Sequence, residues 1–361
     1  MTLTRRRPAH TTGPAPAPSP RRPLRAFALA VTVLAALALV AATGQALLGR
    51  GLAVGEVWPA LLRDSGDPIG ERILWELRLP RAAVALLAGA CLGVSGLLLQ
   101  IALRNPLASP ELTGVGGGAV LGVVLALRLG LVSGQAHTAV LAALCGGLAG
   151  GALLWLLSGR GRSDPVWLTI NGVLVGIALS GLTSVLLVLS QAEAAGALRW
   201  LTGSLTGMTP AHVLLLLPWA AAGMAVAWLL APVLAVLQGG DDHAEAVGLA
   251  PRPARFAVLL TAILLAAAAV SVVGMAGFVG LIAPLLASAV VGREPRLLVP
   301  VAALVGAVVL SGADALAQGV TTLVPAGPQT QRLGLPAGSI TSIVGAALLV
   351  VAVRRRGLLN T

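Results

Sequence analysis

Long apolar runs alternate with short polar segments along this chain, and the runs have the length of membrane-crossing helices. A helix needs about 20 apolar residues to cross roughly 30 Å of hydrocarbon. By that measure the pattern predicts ten spans, near 26–48, 82–103, 115–132, 137–157, 166–190, 210–237, 256–273, 275–291, 297–317 and 338–353. Only the sequence VGMAG divides the pair at 256–291. An even number of spans puts both termini on one side. Glycine recurs inside the runs, as in GGLAGG at 146–151, where it permits helices to approach closely.

Composition sharpens this picture. Of 361 residues, 57% are hydrophobic and 10% charged, and mean hydropathy is +0.94. Soluble domains carry about 25% charged residues, so these charges cannot cover a water-facing surface of this size. Soluble enzymes, nucleic-acid binders and disordered chains are set aside. The expected class is an all-α polytopic membrane protein with about ten transmembrane helices. All 24 basic residues are arginine. Without lysine there is no G-x-x-x-x-G-K-[ST] loop, whose lysine reaches the β/γ-phosphates, so the chain does not hydrolyse ATP by that route. Cys91 and Cys145 lie in apolar runs and read as small buried thiols. His10, His137, His212 and His243 show none of the close spacing of a zinc site. No metal, cofactor or catalytic residue is expected.

Arginines between the spans report topology. With the N-terminus inside, sixteen fall on inner segments and eight on outer ones. Positive residues mark the cytoplasmic side, so both termini are assigned to the cytoplasm. Residues 1–25 hold six arginines amid dense proline and read as a disordered cytoplasmic arm ahead of a membrane domain at 26–361. Arg5–Arg7 hint at a twin-arginine signal in a poor context. The stretch Ala26–Leu48 is about 23 residues, longer than the 7–15 of a signal-peptide core, which favours a first span.

Polar residues concentrate in four places. The outer loop 49–80 mixes Glu56, Arg63, Asp64, Asp67, Glu71, Arg72, Glu76 and Arg78 with Trp58 and Trp75. It reads either as a solvated loop with interfacial anchors or as a docking surface for an external partner. The inner loop Arg104–Ala119 carries Pro106, Pro110 and glycines at 114 and 116–118, and reads as a packed re-entrant turn. The inner loop Leu237–Arg255 places Asp241, Asp242 and Glu245 on a short helix stopped by Gly248. That is ordinary helix-dipole capping or an amphipathic helix that docks in a partner's groove. Asp314 is the one carboxylate well inside a span, near its outer end. It is expected either to find a buried partner or to snorkel to the interface.

The stretch RLPRAAVALLAGACLGVSGLLLQIALRNPLASPELTGVGGGAVLG, from Arg78 onward, closely resembles the signature of FecCD-type permeases, the membrane subunits of ABC importers for ferric siderophores, haem and cobalamin. Its marks are Gln100, Asn105, Pro106 and Gly114. Further blocks, AEAVGL, GFVGLIAP with Pro284, VGREPRLLVP, GADALAQ with Asp314, and LPAGSITSIVGAALL, extend the resemblance from about residue 26 to the C-terminus. It implies the permease fold of type II ABC importers, a dimeric permease that is a homodimer or a paralogous heterodimer, two cytoplasmic ATPase subunits and an extracytoplasmic binding protein. Carried over by position, Arg78 and Arg81 match arginines that face the binding protein. Asp241, Asp242, Glu245 and Gly248 match the coupling helix that enters the ATPase, and Ser163, Asp164, Pro165 and Val166 match a cytoplasmic gate. The implied activity is import of a ferric siderophore across the cell membrane by alternating access, with haem or cobalamin as alternative cargo and no nucleic acid involved. An ion-coupled carrier built on Asp314 is the rival from another class.

Three positions depart from the family pattern. Leu285 and Ser288 stand where His and Arg usually follow Pro284, Gln318 stands where an arginine ends the GADALAQ block, and Asn171 replaces a small apolar residue. The lost basic residues make pairing with a paralogous permease plausible.

Overall fold

All the predicted apolar runs are helical. The structure is a computed structural model and describes residues 21–49, 51–64, 66–131, 136–159, 165–189, 200–323 and 334–356. The principal helices are α1 (Arg21–Leu47), α2 (Leu79–Ala102), α3 (Val115–Arg128), α4 (Ala136–Leu157), α5 (Pro165–Leu189), α6 (Pro210–Leu229), α7 (Pro251–Val273), α8 (Val279–Val291), α9 (Pro295–Leu323) and α10 (Ala337–Arg356). Among the described residues there is no strand. Seven helices are long and apolar enough to cross a membrane: α1, α2 with an extension back to Pro68, α4, α5, α6, α7 and α9. The shorter apolar helices are α3, α8 and α10.

The boundaries differ from the sequence expectation in three instructive places. α1 starts at Arg21, so the last five residues of the expected arm are helical; residues 1–20 lie outside the described residues. Pro23 sits in the first turn, where backbone N–H groups have no intrahelical partner to lose. The expected span 210–237 divides into α6 and a second helix, Ala231–Gln238, with Pro232 at its start. The pair at 256–291 is two helices. α7 ends at Val273 because Gly274 takes φ +81°, and α8 begins only at Val279.

α2, α7 and α9 form the buried centre, whereas α1, α5 and α6 turn most of their surface outward. The centre is packed backbone to backbone. A Cβ placed on Gly89, Gly93 or Gly96 of α2 would run into the carbonyl oxygens of Gly306, Ala302 and Gly280, on α9 and α8. Gly118 and Gly146 make the same approach between α3 and α4, as the GGLAGG run suggested. Ser95 crosses from α2 to α7, its hydroxyl donating to the Ala262 carbonyl at 2.7 Å. α1 rests on α9, where buried Gln45 donates from Nε2 to the Ser311 carbonyl at 2.9 Å.

The outer loop is folded rather than merely solvated. Val54–Glu56, Val57–Leu61 and Pro68–Arg72 are short helices around a small core of Leu52, Val57, Ala60 and Leu74. Trp75 donates to the Ala60 carbonyl at 3.2 Å, and Arg63 lies over its ring at 5.0 Å.

Candidate functional site

Because α2 runs the depth of the bundle, its two ends define two sites. At one end, Arg81 makes a fork on Asp314: Nε donates to Oδ2 at 2.8 Å and Nη2 to Oδ1 at 2.7 Å. Asp314 is fully buried, while the Arg81 side chain is 20% exposed. Gln318, one turn further along α9, donates from Nε2 to Oδ2 at 2.8 Å. The carboxylate therefore has the buried partner that an ionisable group in a span requires, and the snorkelling alternative is corrected. Gln318, a departure from the family pattern, contributes a neutral donor to the same carboxylate.

Arg78 is also buried. Its Nη1 donates to the Ala46 and Leu47 carbonyls at 2.7 and 3.3 Å, and its Nη2 to Leu52 at 2.9 Å. These are the last carbonyls of α1 and the chain just beyond, the negative end of a helix dipole. The guanidinium of Arg78, which the resemblance implies faces the binding protein, is turned inward here and closes the end of α1.

At the other end of α2, three segments assigned to one side by the arginine count come together. The short helix Asp241–Ala246 follows Gly240 and is stopped at Gly248, which takes φ +82° and donates to Glu245 while Leu249 donates to Ala244. Asp241 leans back onto the bundle. Its Oδ1 accepts from Arg104 and, at 2.7 Å, from Nη2 of Arg255. Arg255 is 1% exposed and also donates from Nε to the Ala102 carbonyl at 3.0 Å. Asp242 and Glu245 instead face outward, with His243 and Val247. The acidic trio is thus divided: Asp241 is a tether and the other two are presented.

Five of the six signature residues, Gln100, Asn105, Pro106, Gly114 and Pro284, lie toward this end, whereas Asp314 lies at the other. Gln100 donates to the Leu281 carbonyl of α8 at 3.2 Å. Asn105 Oδ1 accepts from Leu107 N at 2.9 Å, closing the turn at Pro106. Gly114 takes φ +77° to start α3, against Val175. Pro284 lies within α8. A cavity of about 670 Å³ opens between α2, α8 and residues 238–239. Pro284, Leu285 and Ser288 all line it, so the missing His and Arg are missing from one hollow. Pro165 and Val166 open α5, with Val166 exposed; Ser163 and Asp164 lie outside the described residues. Asn171 stands 3.5 Å from the Ser158 hydroxyl.

In the sequence Arg104 serves as a topology marker and Arg255 as a topology marker and a base complementing the dipole of the short helix; neither role announces a shared carboxylate. The signal that marks Arg255 is its place inside the first turns of an apolar helix, where a charge is expected to have a named partner.

Taken together, a bundle of membrane helices with a protruding short helix at one end and no soluble domain among the described residues is the architecture of a membrane permease. The FecCD transport family matches residues 26–355. The Fe(3+)-citrate import system permease protein YfmD of Bacillus subtilis is 32% identical over 283 residues, covering 78% of this chain and 81% of that protein. The ferric enterobactin transport system permease protein FepG of Escherichia coli is 36% identical over 302 residues, covering 83% and 87%. A solved inward-facing structure, described as of a metal-chelate type ABC transporter, superposes with a TM-score of 0.76 at 25% identity, covering 91% of this chain and 99% of that one. The chain belongs to the FecCD transport family and is a multi-pass permease of the plasma membrane.

Proposed function

We propose that this chain forms, with a second permease subunit, the membrane pathway of an ATP-driven importer that carries a ferric siderophore into the cytoplasm by alternating access. The short helix Asp241–Ala246 carries the reading. It presents Asp242 and Glu245 at the end of the bundle where the arginine-bearing loops gather, and Asp241 ties it to two membrane helices. A partner that grips such a helix can move the bundle. The partner is a pair of separate cytoplasmic ATPase subunits that contact Asp242, Glu245 and the turn at Gly248; this chain supplies the pathway and no catalytic group.

On the outer side, a binding protein delivers the chelate. Arg81 is the docking residue of the two arginines, since its Nη1 edge is not part of the fork on Asp314 and its side chain is partly exposed. Ser163, Asp164, Pro165 and Val166 form the inner gate at the mouth of α5. The apolar face of α5 at Val166, Ile170, Leu174 and Ile177 is exposed at helical spacing and suits a second permease subunit, either a copy or a paralogue. A ferric chelate is favoured as cargo over haem or cobalamin by the iron chelates in the names of the relatives above. An ion-coupled mechanism needs a carboxylate free to exchange protons, and both oxygens of Asp314 accept charge-assisted bonds from Arg81.

The test is uptake of labelled ferric siderophores, ferric citrate, haem and cobalamin in a strain lacking the gene, grown under iron limitation. Loss of one ferric chelate, restored by the gene and abolished by ATP depletion, is expected. Uptake that survives ATP depletion and fails when the proton gradient collapses would overturn the ATP-driven reading.

A further inference from the structure

The two bonds on Asp241 are unequal. Arg255 is sealed inside the bundle, and its three donor groups are committed to Asp241 and to the Ala102 carbonyl at the end of α2. Removing its carboxylate would strand a buried charge, so this half of the contact is fixed. Arg104 is exposed and stands beside the cavity lined by Gln100, Gln238 and Ser288. Its backbone takes φ +46° just past the end of α2, a left-handed position that normally belongs to glycine or asparagine. An exposed ion pair on a strained residue is one that a small push can open.

What lies behind Arg104 decides what such a push would do. α2 is roughly 36 Å long, and at Gly89, Gly93 and Gly96 it meets α8 and α9 backbone to backbone, a close approach that leaves little room to absorb a shift. Its far end is forked to α9 by Arg81 and Asp314. A displacement entering at Ala102 and Arg104 must therefore carry α8 and α9 with it and arrive at the opposite face.

We infer that Asp241 is the joint of the transporter: it passes movement of the short helix to the end of α2 along two bonds, a fixed one through Arg255 to the Ala102 carbonyl and an exchangeable one to Arg104. Asp241 and Arg104 are positioning residues. This rests on the coupling role proposed for the short helix and adds the path by which its movement leaves it.

The test is hydrogen exchange, read by mass spectrometry, on the permease–ATPase complex in lipid nanodiscs with and without Mg-ATP. In the wild-type complex, ATP should alter exchange at residues 241–249 and at the outer segment 311–322. Arg104→Gly suits the left-handed backbone and removes the ion pair together with the side chain beside the cavity. Asp241→Asn removes the charge. Both should keep the ATP response at 241–249; at 311–322 Asp241→Asn should lose at least three-quarters of it and Arg104→Gly about half, with Asp241→Glu retaining more than Asp241→Asn. A full outer response in Arg104→Gly or Asp241→Asn overturns the inference, as does an outer segment that ignores ATP in the wild type. Failure of both variants to assemble also overturns it, making Asp241 a folding residue. A wild-type complex with no ATP response at 241–249 instead overturns the coupling role itself.

Discussion

Replacing Arg81 by methionine would leave the Asp314 carboxyl fully buried with Gln318 as its remaining side-chain donor. Breaking a buried pair by removing one partner costs about 3–5 kcal/mol, because the other charge stays behind without compensation. Arg81 is partly exposed, so the low end applies, about 3 kcal/mol. At roughly 2 °C per kcal/mol for a chain of this size, the melting point of the detergent-solubilised protein should fall by about 6 °C. Asp314→Leu alone should cost a similar amount, since Arg81 would then be the stranded charge. The double variant Arg81→Met/Asp314→Leu removes both, and replacing a buried pair by apolar residues of similar volume is often neutral or better. A thermal-shift double-mutant cycle should therefore return a coupling energy of about 6 kcal/mol if the double variant is neutral. If Arg81→Met melts within 2 °C of the wild type, Arg81 is not what holds the carboxylate. If the double variant is stable yet transports nothing, Asp314 or Arg81 has a role beyond their pairing.

Four further substitutions have outcomes set by packing and burial. Gly96→Leu should separate α2 from α8, because its Cβ meets the Gly280 backbone, at a cost of about 1–3 kcal/mol or more; Gly312→Ala, whose Cβ meets nothing within 4 Å, should be neutral or stabilising by about 0.5–1 kcal/mol, both read by thermal unfolding. Arg78→Ala should lower the melting point through the freed carbonyls of Ala46, Leu47 and Leu52 while leaving the affinity for the binding protein unchanged by titration. Glu111, in the loop helix Pro110–Thr113, has its carboxyl pushed up by burial, partly offset by a hydrogen bond from Ser109. A raised carboxyl favours folding below its unfolded value and loses that advantage as pH rises through its folded value. Glu111→Gln should therefore stabilise the protein at neutral pH, with the gain vanishing under acid conditions in a pH series of melting curves.

The bundle was legible in the sequence because lipid imposes one rule on every span: about 20 apolar residues with the backbone bonded internally. That rule located every principal helix but missed breaks where proline or glycine changes local geometry, at Pro232 and across Gly274–Phe278, and polar helical extensions at Arg21–Arg25 and Pro68–Arg78. Loop packing was illegible for the opposite reason. The core of Leu52, Val57, Ala60 and Leu74 draws on residues up to 22 apart, and no period announces it. The site was half legible. Asp241, Asp242 and Glu245 stood out as a group, but their separation into one tether and two presented acids depends on Arg255 and Arg104, which meet Asp241 across 14 and 137 positions. Arg78 and Arg81 share a motif three residues apart. Which one turns inward is decided by the helix ends and carboxylates that tertiary folding brings to them.

The contact between α1 and α9 bears on how the protein is made. Gln45 bonds Ser311 across 266 positions, so at 5–20 residues per second the ribosome needs roughly 13–53 s to supply that carbonyl after Gln45 has emerged. Throughout that interval α1 has already reached the bilayer carrying a side-chain amide whose final acceptor does not yet exist. The Gln45 side of α1 is therefore locked only after α9 has been made. A chain released before α9 emerges would carry a polar mark in lipid by which an unfinished transporter can be told from a finished one.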